Sequence, residues 1–292
     1  MTTAFALRLA HLHAILYRRR PLIRTILNQN PSLLRLYETS RREWVNDYGI
    51  HAKVADLLFQ QLHNPELYYQ VLKDVRAYTF IHEGEDRYPH LLRQIPDAPP
   101  VLYAMGDVTL LKYHPSLSIV GTRTPSNMAS RKLDTVLLPL AKEKWLFVSG
   151  MARGIDRMVH EMAIENNTST IGVLAFGLNH CYPHENWTLQ KFIGENHLLL
   201  SEYPPSIPPE KWHFPERNRI ISGLTYGTLV VEARNKSGSL ITADQALEQN
   251  REVFAIPGEI WSEQCAGCLA LIQQGAKMVQ KPQHIIEDWK IM

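Results

Sequence analysis

The first quarter of the chain has the apolar spacing of short amphipathic helices. Over residues 1 to about 72, Leu, Ala, Tyr and His recur at three- and four-residue intervals, and Gly49 is the single glycine. Breaks fall near Pro21, at residues 28–31 and at residues 63–65. Because prolines interrupt helices, the pattern predicts four or five short helices. We expect a small all-helical domain over residues 1–72.

From residue 73 the pattern changes to short apolar runs separated by helical segments. The runs are rich in Val, Ile, Leu and Phe. Such runs are typical of parallel strands buried on both faces of a sheet. We predict an α/β domain over residues 73–292, with an extended Rossmann-like, doubly wound, mostly parallel sheet. The predicted strands are residues 78–81, 117–120, 145–148, 170–175, 197–200, 228–231 and 252–256, with a Pro-rich crossing over residues 88–103.

Composition is that of a globular protein without a strong electrostatic bias. Of 292 residues, 45% are hydrophobic and 21% are charged, and the formal net charge is +2. A chain of this length can form two domains and bury a sizeable core. Bulk charge therefore gives no argument for nucleic-acid binding, and such a role must rest on local clustering. With three cysteines, no signal-peptide layout and no long apolar run, we expect a cytoplasmic protein without membrane insertion.

The loops after the predicted strands are the first candidate site, because parallel sheets bind ligands at the carboxyl ends of their strands. Two of these loops, residues 121–126 and 149–156, combine small residues, an arginine and a helix start. Helix N-termini attract anions, and arginine suits phosphate oxygens. Neither loop has the spacing of a dinucleotide- or triphosphate-binding motif. The candidate anion-binding residues here are Gly121, Arg123, Ser126, Ser149, Gly150 and Arg153.

The most distinctive cluster lies in residues 211–223, where an aromatic ring and cationic side chains surround a proline. Single-stranded nucleic acid is bound by cations that contact its phosphates and by rings that stack on its bases. The alternative is a solvated helix start with a capping proline and a packed Phe. The candidate residues are Lys211, Phe214, Arg217, Asn218 and Arg219.

We expect these cations to converge with Arg123 and Arg153 on one edge of the sheet. The sequence offers no nucleophile–base–orienter set and no carboxylate cluster for magnesium beside them. A polyanion-binding cleft therefore fits better than a catalytic one. We expect no catalytic residues, no metal and no cofactor.

Several other segments have plainer structural interpretations. Asp156 and His160 share a helix face and could form an acid–base pair, but a dipole-stabilised Asp and a loop-fixing His are favoured. The His and Cys residues of 180–184 and the C-x-x-C of residues 265–268 match no common metal set.

Two further segments also have simple structural interpretations. The arginines of residues 18–20 could touch phosphate, but a solvated helix end is favoured. Residues 236–242 form a small-residue turn before an Ala-rich helix, in which the serines serve as N-caps.

Taken in order, several of these segments resemble a known family. They are residues 121–126, 149–156 with His160, 214–223, 231–233, 237–243 and 251–258. In this succession the chain is similar to the DNA processing protein A family, DprA, also called Smf. The resemblance spans about residues 77–280, and its combined motifs are highly specific. Residues 1–72 resemble the family's helical, sterile-alpha-motif-like (SAM-like) domain more loosely.

The resemblance implies a cytoplasmic, non-enzymatic protein that binds single-stranded DNA and loads the recombinase RecA onto it. In naturally competent bacteria, this protects incoming DNA and promotes its recombination during natural transformation. By motif position, the resemblance implies that Arg123 and Lys211 bind phosphates and that Phe214 stacks on a base. Residues 217–219 would line the same pocket.

The resemblance also implies a homodimer formed through the end of the sheet domain, with Leu269 and Met278 as candidate apolar contacts. The chain departs from the family pattern in two places. Many members have Gly-Thr-Asn where residues 267–269 are Gly-Cys-Leu. Many also have a winged-helix domain after the sheet domain, whereas this sequence stops at Met292, so we expect no C-terminal winged helix.

Two other function classes remain open from the sequence. A nucleotide phosphoribohydrolase on a related Rossmann-like sheet needs a Pro-Gly-Gly turn closely followed by Gly-Thr and a pair of glutamates. Residues 227–232 are only a partial echo of that pattern. A structural adaptor would use the helical domain and the dimer face alone. Release of free base from AMP would indicate the enzyme, and failure to retard single-stranded DNA in a gel would indicate the adaptor.

Overall fold

The computed structural model describes residues 3–289, so residues 1, 2 and 290–292 of the two predicted domain ranges lie outside the described residues. The first part of the described chain is helical, as predicted. Local signals set the helix starts: Thr3 Oγ1 accepts a hydrogen bond from Ala6 N, and Ser40 and Glu43 form a capping box. The helices are α1 (Ala4–Leu16), α2 (Arg20–Gln29), α3 (Arg41–Asn46), α4 (Ala52–Leu62) and α5 (Pro65–Ala77), the last of which continues past residue 72.

Strands and helices alternate through the rest of the described chain. In order they are β1 (Thr79–His82), α6 (His90–Arg93), β2 (Val101–Gly106), β3 (Ser116–Val120), α7 (Ala129–Lys142), β4 (Leu146–Gly150), α8 (Ile155–Glu165), β5 (Thr170–Leu174), α9 (Trp187–Asn196), β6 (Leu198–Ser201), α10 (His213–Gly223), β7 (Gly227–Val230), α11 (Gly238–Glu248), β8 (Glu252–Ala255), α12 (Ala266–Gln273), β9 (Lys277–Met278) and α13 (Gln283–Trp289). Short 3₁₀ helices occupy Val108–Lys112 and His184–Asn186.

Within residues 3–289, the strands form one nine-stranded sheet in the order β1-β2-β6-β5-β4-β3-β7-β8-β9. The pairings from β6 to β9 are parallel, whereas β2 pairs antiparallel with both β1 and β6. The predicted mostly parallel, Rossmann-like α/β fold is thus confirmed. The chain leaves β3 towards β4 and returns after β6 to β7 on the other side of β3. This reversal opens a crevice at the carboxyl ends of β3 and β7, where ligands bind in such sheets.

Both faces of the sheet are buried because neighbouring strand residues point to opposite sides. Ile119 and Leu229 pack with α7 and α8 on one face, whereas Val120 and Val230 pack with α10 and α11 on the other. This two-sided burial explains why the strands read as continuous apolar runs in the sequence.

The prediction of a Pro-rich crossing over residues 88–103 is wrong at its end, where strand β2 begins. Val101 to Gly106 form a strand in register with β1, starting directly after Pro100. The preceding prolines cannot donate backbone hydrogen bonds, and their density hides the strand in the sequence. The helical region packs against this side of the sheet, where Leu12 and Leu16 share one apolar cluster with Phe80 and Tyr103.

Candidate functional site

A pocket of about 620 Å³ opens at the predicted crevice between β3 and β7. It is formed by the loops after β3, β4, β5, β6 and β7, by the start of α11, and by one face of α10. Four positions of α10 recur at helical spacing along that face, and they are Phe214, Arg217, Asn218 and Ile221. The other lining residues are Val120, Gly121, Thr122, Arg123, Thr124, Ala152, Asp156, Tyr182, Lys211, Pro215, Arg234, Ser237, Gly238, Ser239, Ile241 and Thr242.

The loop after β3 is held at both ends by Glu232, which follows β7. The backbone carbonyl of Glu232 accepts a hydrogen bond from Thr122 N at 2.7 Å, and its carboxylate accepts from Ser126 N at 2.8 Å and Ser126 Oγ at 2.6 Å. Lys132 Nζ lies 2.9 Å from the same carboxylate. This buried clamp fixes the loop and leaves the Arg123 side chain exposed at the pocket.

The Glu232 clamp also bears on the phosphoribohydrolase alternative. Glu232 is the glutamate that follows Gly-Thr in residues 227–232, the segment that partly matches the phosphoribohydrolase pattern. Its side chain is fully buried. Its carboxylate contacts Ser126 and Lys132 and does not line the pocket. This glutamate is therefore a structural group in the arrangement observed.

Phe214 gives the pocket a flat apolar wall. Its side chain is half-buried, and the Arg123 guanidinium carbon lies 5.5 Å from the ring centroid. The Tyr182 ring meets it edge-on, with the centroids 5.6 Å apart. The cation–π contact places a cationic group directly beside a ring that can stack on a base. Tyr182 extends the aromatic wall towards solvent, since it is 47% exposed.

Arg217 supplies a buried cation at the pocket floor. Its Nη1 donates a hydrogen bond to the carbonyl of Val173, whereas its buried Nε has no partner within the described residues. Burial lowers its pKa to about 10, against the opposing attraction of Asp156, so it is charged at neutral pH. Burial raises the pKa of Asp156, with Arg217 acting in the opposite sense. The floor therefore presents a positive charge that the protein only partly compensates.

Arg219, two positions further along α10, does not reach the pocket. It belongs to an inner ion cluster, defined here as Arg20, Asp97, Glu202, Glu216 and Arg219. Arg219 Nη2 lies 2.8 Å from both carboxylate oxygens of Glu202, and its Nε lies 3.1 Å from Asp97 Oδ2. Residues two apart on a helix point in nearly opposite directions, which separates Arg219 from Arg217.

Four other predicted site residues also lie outside the pocket lining. Ser126 is bound to Glu232, and the buried Ser149 donates a hydrogen bond to the Ile119 carbonyl at 2.7 Å. Gly150 lies against the side chains of Arg217 and Asp156. Arg153 is exposed and pairs with Glu185 at 2.7 Å. The structure thus brings together Gly121, Arg123, Lys211, Phe214, Arg217 and Asn218, and it does not bring Ser126, Ser149, Gly150, Arg153 or Arg219 to the lining.

The start of α11 is the part of the pocket that sequence reasoning undervalued. Ser237, Gly238 and Ser239 line the pocket, and Asn218 Nδ2 reaches the Gly238 carbonyl at 3.3 Å. The sequence predicts a small-residue turn before a helix, with its serines as N-caps. In the structure Ser237 makes no side-chain cap, and its Oγ lies 2.6 Å from Ser239 Oγ. The same small-residue signal used for residues 121–126 would have identified this turn.

His160 fixes the loop after β4 and does not contact the pocket. Its Nε2 lies 2.6 Å from the Gly150 carbonyl oxygen, and its Nδ1 lies 2.7 Å from Thr170 Oγ1. Burial lowers its pKa to about 4, so the ring is neutral at pH 7. The favoured structural interpretation of His160 agrees with this geometry.

The remaining predicted sites are placed as follows. Within the described residues, no group of three or more His, Cys, Asp or Glu side chains is arranged to hold a metal ion. Over residues 3–289, no helix has the length and apolar character needed to cross a membrane.

The candidate dimer residues lie near the last strands: Leu269 is half-buried on α12, and Met278 is 42% exposed on β9.

The sequence comparison decides the family. The model of the family described as DNA recombination-mediator protein A matches residues 79–290, which includes every strand from β1 to β9. The chain belongs to this family. The predicted resemblance to DprA and Smf proteins is thus confirmed.

Curated DprA relatives match much of the chain. DNA processing protein DprA of Bacillus subtilis is 48% identical over 202 residues, which cover 69% of this chain and 68% of the relative. DprA of Streptococcus pneumoniae is 42% identical over 230 residues, covering 77% of this chain and 81% of the relative.

Solved DprA structures share the fold. That of Streptococcus pneumoniae DprA superposes with a TM-score of 0.72 at 37% identity, covering 89% of this chain and 94% of that one. The Helicobacter pylori protein gives a TM-score of 0.65 at 30% identity, covering 73% of this chain and 95% of that one. The latter structure is described as showing a single-stranded DNA binding mode.

Proposed function

We propose that this protein binds single-stranded DNA in the pocket between β3 and β7. In this proposal it protects incoming DNA and loads the recombinase RecA onto it during natural transformation. The protein acts in the cytoplasm as a homodimer, with Leu269 and Met278 at the dimer contact, and it catalyses no reaction. Residues 1–72 form a separate SAM-like domain beside the DNA-binding sheet domain.

The observation that carries the proposal is the pairing of Phe214 with Arg123 inside a pocket that also contains Lys211 and Arg217. A phosphodiester chain needs cations along its backbone, and a stacked base needs an accessible ring. The pocket offers both within one crevice. Its cationic and hydroxyl side chains suit the phosphates of such a chain.

Single strands fit this site better than duplexes. A base can reach the Phe214 ring only when it is not paired and stacked inside a duplex. The net charge of +2 gives little general attraction to a duplex surface. Because a ring stacks on any base, we expect little sequence preference.

Relatives support the cellular part of the proposal. The family description names a recombination mediator, and the Helicobacter pylori relative is described as binding single-stranded DNA. A mediator that delivers DNA to a recombinase must hold the strand through reversible contacts, which suits phosphate and stacking interactions.

The test is a fluorescence-anisotropy titration with a labelled oligothymidylate and a matched duplex at two salt concentrations. We expect tighter binding to the single strand, and affinity that falls as salt rises. Phe214→Ala should weaken single-strand binding roughly 5- to 100-fold, the loss of one stacked base, without unfolding the protein. Phe192→Ala is the matched control, because Phe192 is an exposed phenylalanine on α9 outside the pocket lining. Equal affinity of Phe214→Ala and the wild type would contradict the proposed site.

A further inference from the structure

A second pair of an aromatic ring and a guanidinium group lies just outside the pocket. The Arg18 guanidinium carbon is 4.9 Å from the centroid of the Trp212 ring, which is 37% exposed. This resembles the Arg123–Phe214 pair, with its 5.5 Å separation. The exposed Lys211, which lines the pocket, directly precedes Trp212 in the chain. The rings of both pairs therefore follow Lys211 within three positions of the chain.

The turn between α1 and α2, residues 17–19, and the following Arg20 are fixed against the start of α10. Arg20 Nη2 lies 2.9 Å from Asp97 and its Nη1 lies 3.1 Å from Glu216, both in the inner ion cluster. The rings of Tyr17 and Tyr203 meet edge-on with centroids 6.2 Å apart. These contacts hold the turn in place at the rim of the site, although it belongs to the helical region.

Glu210 organises the exposed end of this surface. Its carboxylate accepts hydrogen bonds from Arg18 Nη2 at 2.6 Å and from the Trp212 indole nitrogen. The guanidinium and the indole are thus held together before any ligand arrives, which lowers the entropy cost of binding. Arg19 is exposed, and no side-chain partner for it is found over residues 3–289. With Lys211, Arg18 and Arg19 against Glu210, the surface carries excess positive charge.

We propose that the single strand leaves the pocket past Lys211 and continues over Trp212 onto the α1–α2 turn. One base stacks on Trp212, and the adjoining phosphates contact Arg18 and Arg19. The inference rests on the proposed function and extends it, since it gives the helical region a direct part in DNA binding. The inner ion cluster supplies the geometry by fixing the turn beside α10.

The experiment measures the binding of oligothymidylates of about 4 and about 16 nucleotides, which span typical single-stranded site sizes. Trp212→Ala should weaken binding of the long strand roughly 5- to 100-fold and leave the short strand unchanged. Arg18→Gln should also weaken binding of the long strand and not of the short one, with a smaller loss of affinity. It provides the test if Trp212→Ala is poorly folded. Trp187→Ala is the matched control, because Trp187 is an exposed tryptophan, 53% accessible, outside the pocket lining. Thermal unfolding of each variant checks its folding.

Three results would overturn the inference. The first is wild-type affinity of Trp212→Ala and Arg18→Gln for the long strand. The second is an equal loss for both strand lengths, which would mean that Trp212 acts by shaping the pocket. The third is a loss for Trp187→Ala as large as that for Trp212→Ala. Failure of the wild type to bind either strand would instead contradict the proposed function itself.

Discussion

Helix α10 contributes to two charged regions that differ in how their cations are compensated. Arg219 faces Glu202 and Asp97 in the inner ion cluster, whereas Arg217 faces a single buried carboxylate, Asp156, in the pocket. Burial acts to lower the pKa of both arginines. In Arg219 the nearby carboxylates reverse the effect and raise the pKa, whereas in Arg217 the pKa falls to about 10.

The contrast shows how to distinguish a structural arginine from a ligand-binding one. Both side chains are buried, on one helix and two residues apart, so residue type and burial do not distinguish Arg217 from Arg219. The number of carboxylates that face each arginine does distinguish them. In the cluster two arginines face three carboxylates, whereas in the pocket Arg217 faces one, so the pocket gains more from the arrival of an anion.

The largest expected effect is on stability in the inner ion cluster. Arg219→Met should lower the free energy of unfolding by about 3–5 kcal/mol, because Glu202 is left buried beside too little positive charge. Urea unfolding followed by circular dichroism measures the loss. Arg157→Met is the control, since the exposed Arg157–Glu161 pair should contribute less than about 1 kcal/mol. A similar small loss for both variants would remove the distinction between the two regions.

The next effect is on binding in the pocket. Arg123→Glu should weaken oligothymidylate binding on the order of 100-fold, because a phosphate contact is replaced by a repulsion. Its stability should stay near that of the wild type, since Arg123 is exposed. Anisotropy titration of Arg153→Glu provides the comparison: Arg153 is also exposed but pairs with Glu185 outside the lining. Wild-type affinity in Arg123→Glu would show that the pocket is not the binding site.

A third prediction concerns acid stability beneath the pocket. His160 has a folded-state pKa of about 4 against an ordinary value of 6.5, so protonation favours the unfolded state. Stability should be unaffected above pH 6.5 and fall as the pH drops towards 4, by about 2 kcal/mol at pH 5 from this residue. Urea unfolding at pH 7.5 and pH 5 measures the change. His160→Gln should show a shallower dependence, retaining the part due to the buried His11 and His13, whose pKa values are also lowered, to about 4 and about 3.

The smallest effect is on salt dependence. Lys211→Ala should reduce the slope of log affinity against log salt concentration by about 0.7 to 1, the loss of one phosphate contact. Titrations at several salt concentrations give the slope. Lys191→Ala is the control, because Lys191 lies on α9, near Glu195 and away from the pocket lining. An unchanged slope in Lys211→Ala would place that lysine away from the phosphates.

The parallel part of the sheet was predictable because burial on both faces makes its strands continuously apolar. Runs such as residues 117–120 and 145–148 lie within or beside β3 and β4 as observed. β2 was not predictable in the same way, since Pro96, Pro99 and Pro100 crowd its start and its antiparallel pairing depends on distant strands. These prolines therefore masked the apolar pattern of residues 101–104.

Sequence motifs located the site but did not determine the side-chain directions. The segments 121–126 and 211–219 both reach the pocket, because strand ends and a helix start must meet there. Which of Arg217 and Arg219 faces the pocket depends on Glu202 and Asp97, which are remote in sequence. Ser126 likewise turns inward because Glu232, more than a hundred positions away, accepts its hydrogen bonds.

Gly150 limits which residues can evolve beneath the floor of the pocket. A β-carbon at this position would overlap the Arg217 guanidinium and the Asp156 carboxylate. Moving either group would disturb its present contacts, since Arg217 is bonded to the Val173 carbonyl and Asp156 is buried. Even alanine would therefore dislodge the charged floor. A saturation library at this codon, selected for DNA retention, should return glycine alone, whereas one at Arg153 should tolerate many residues.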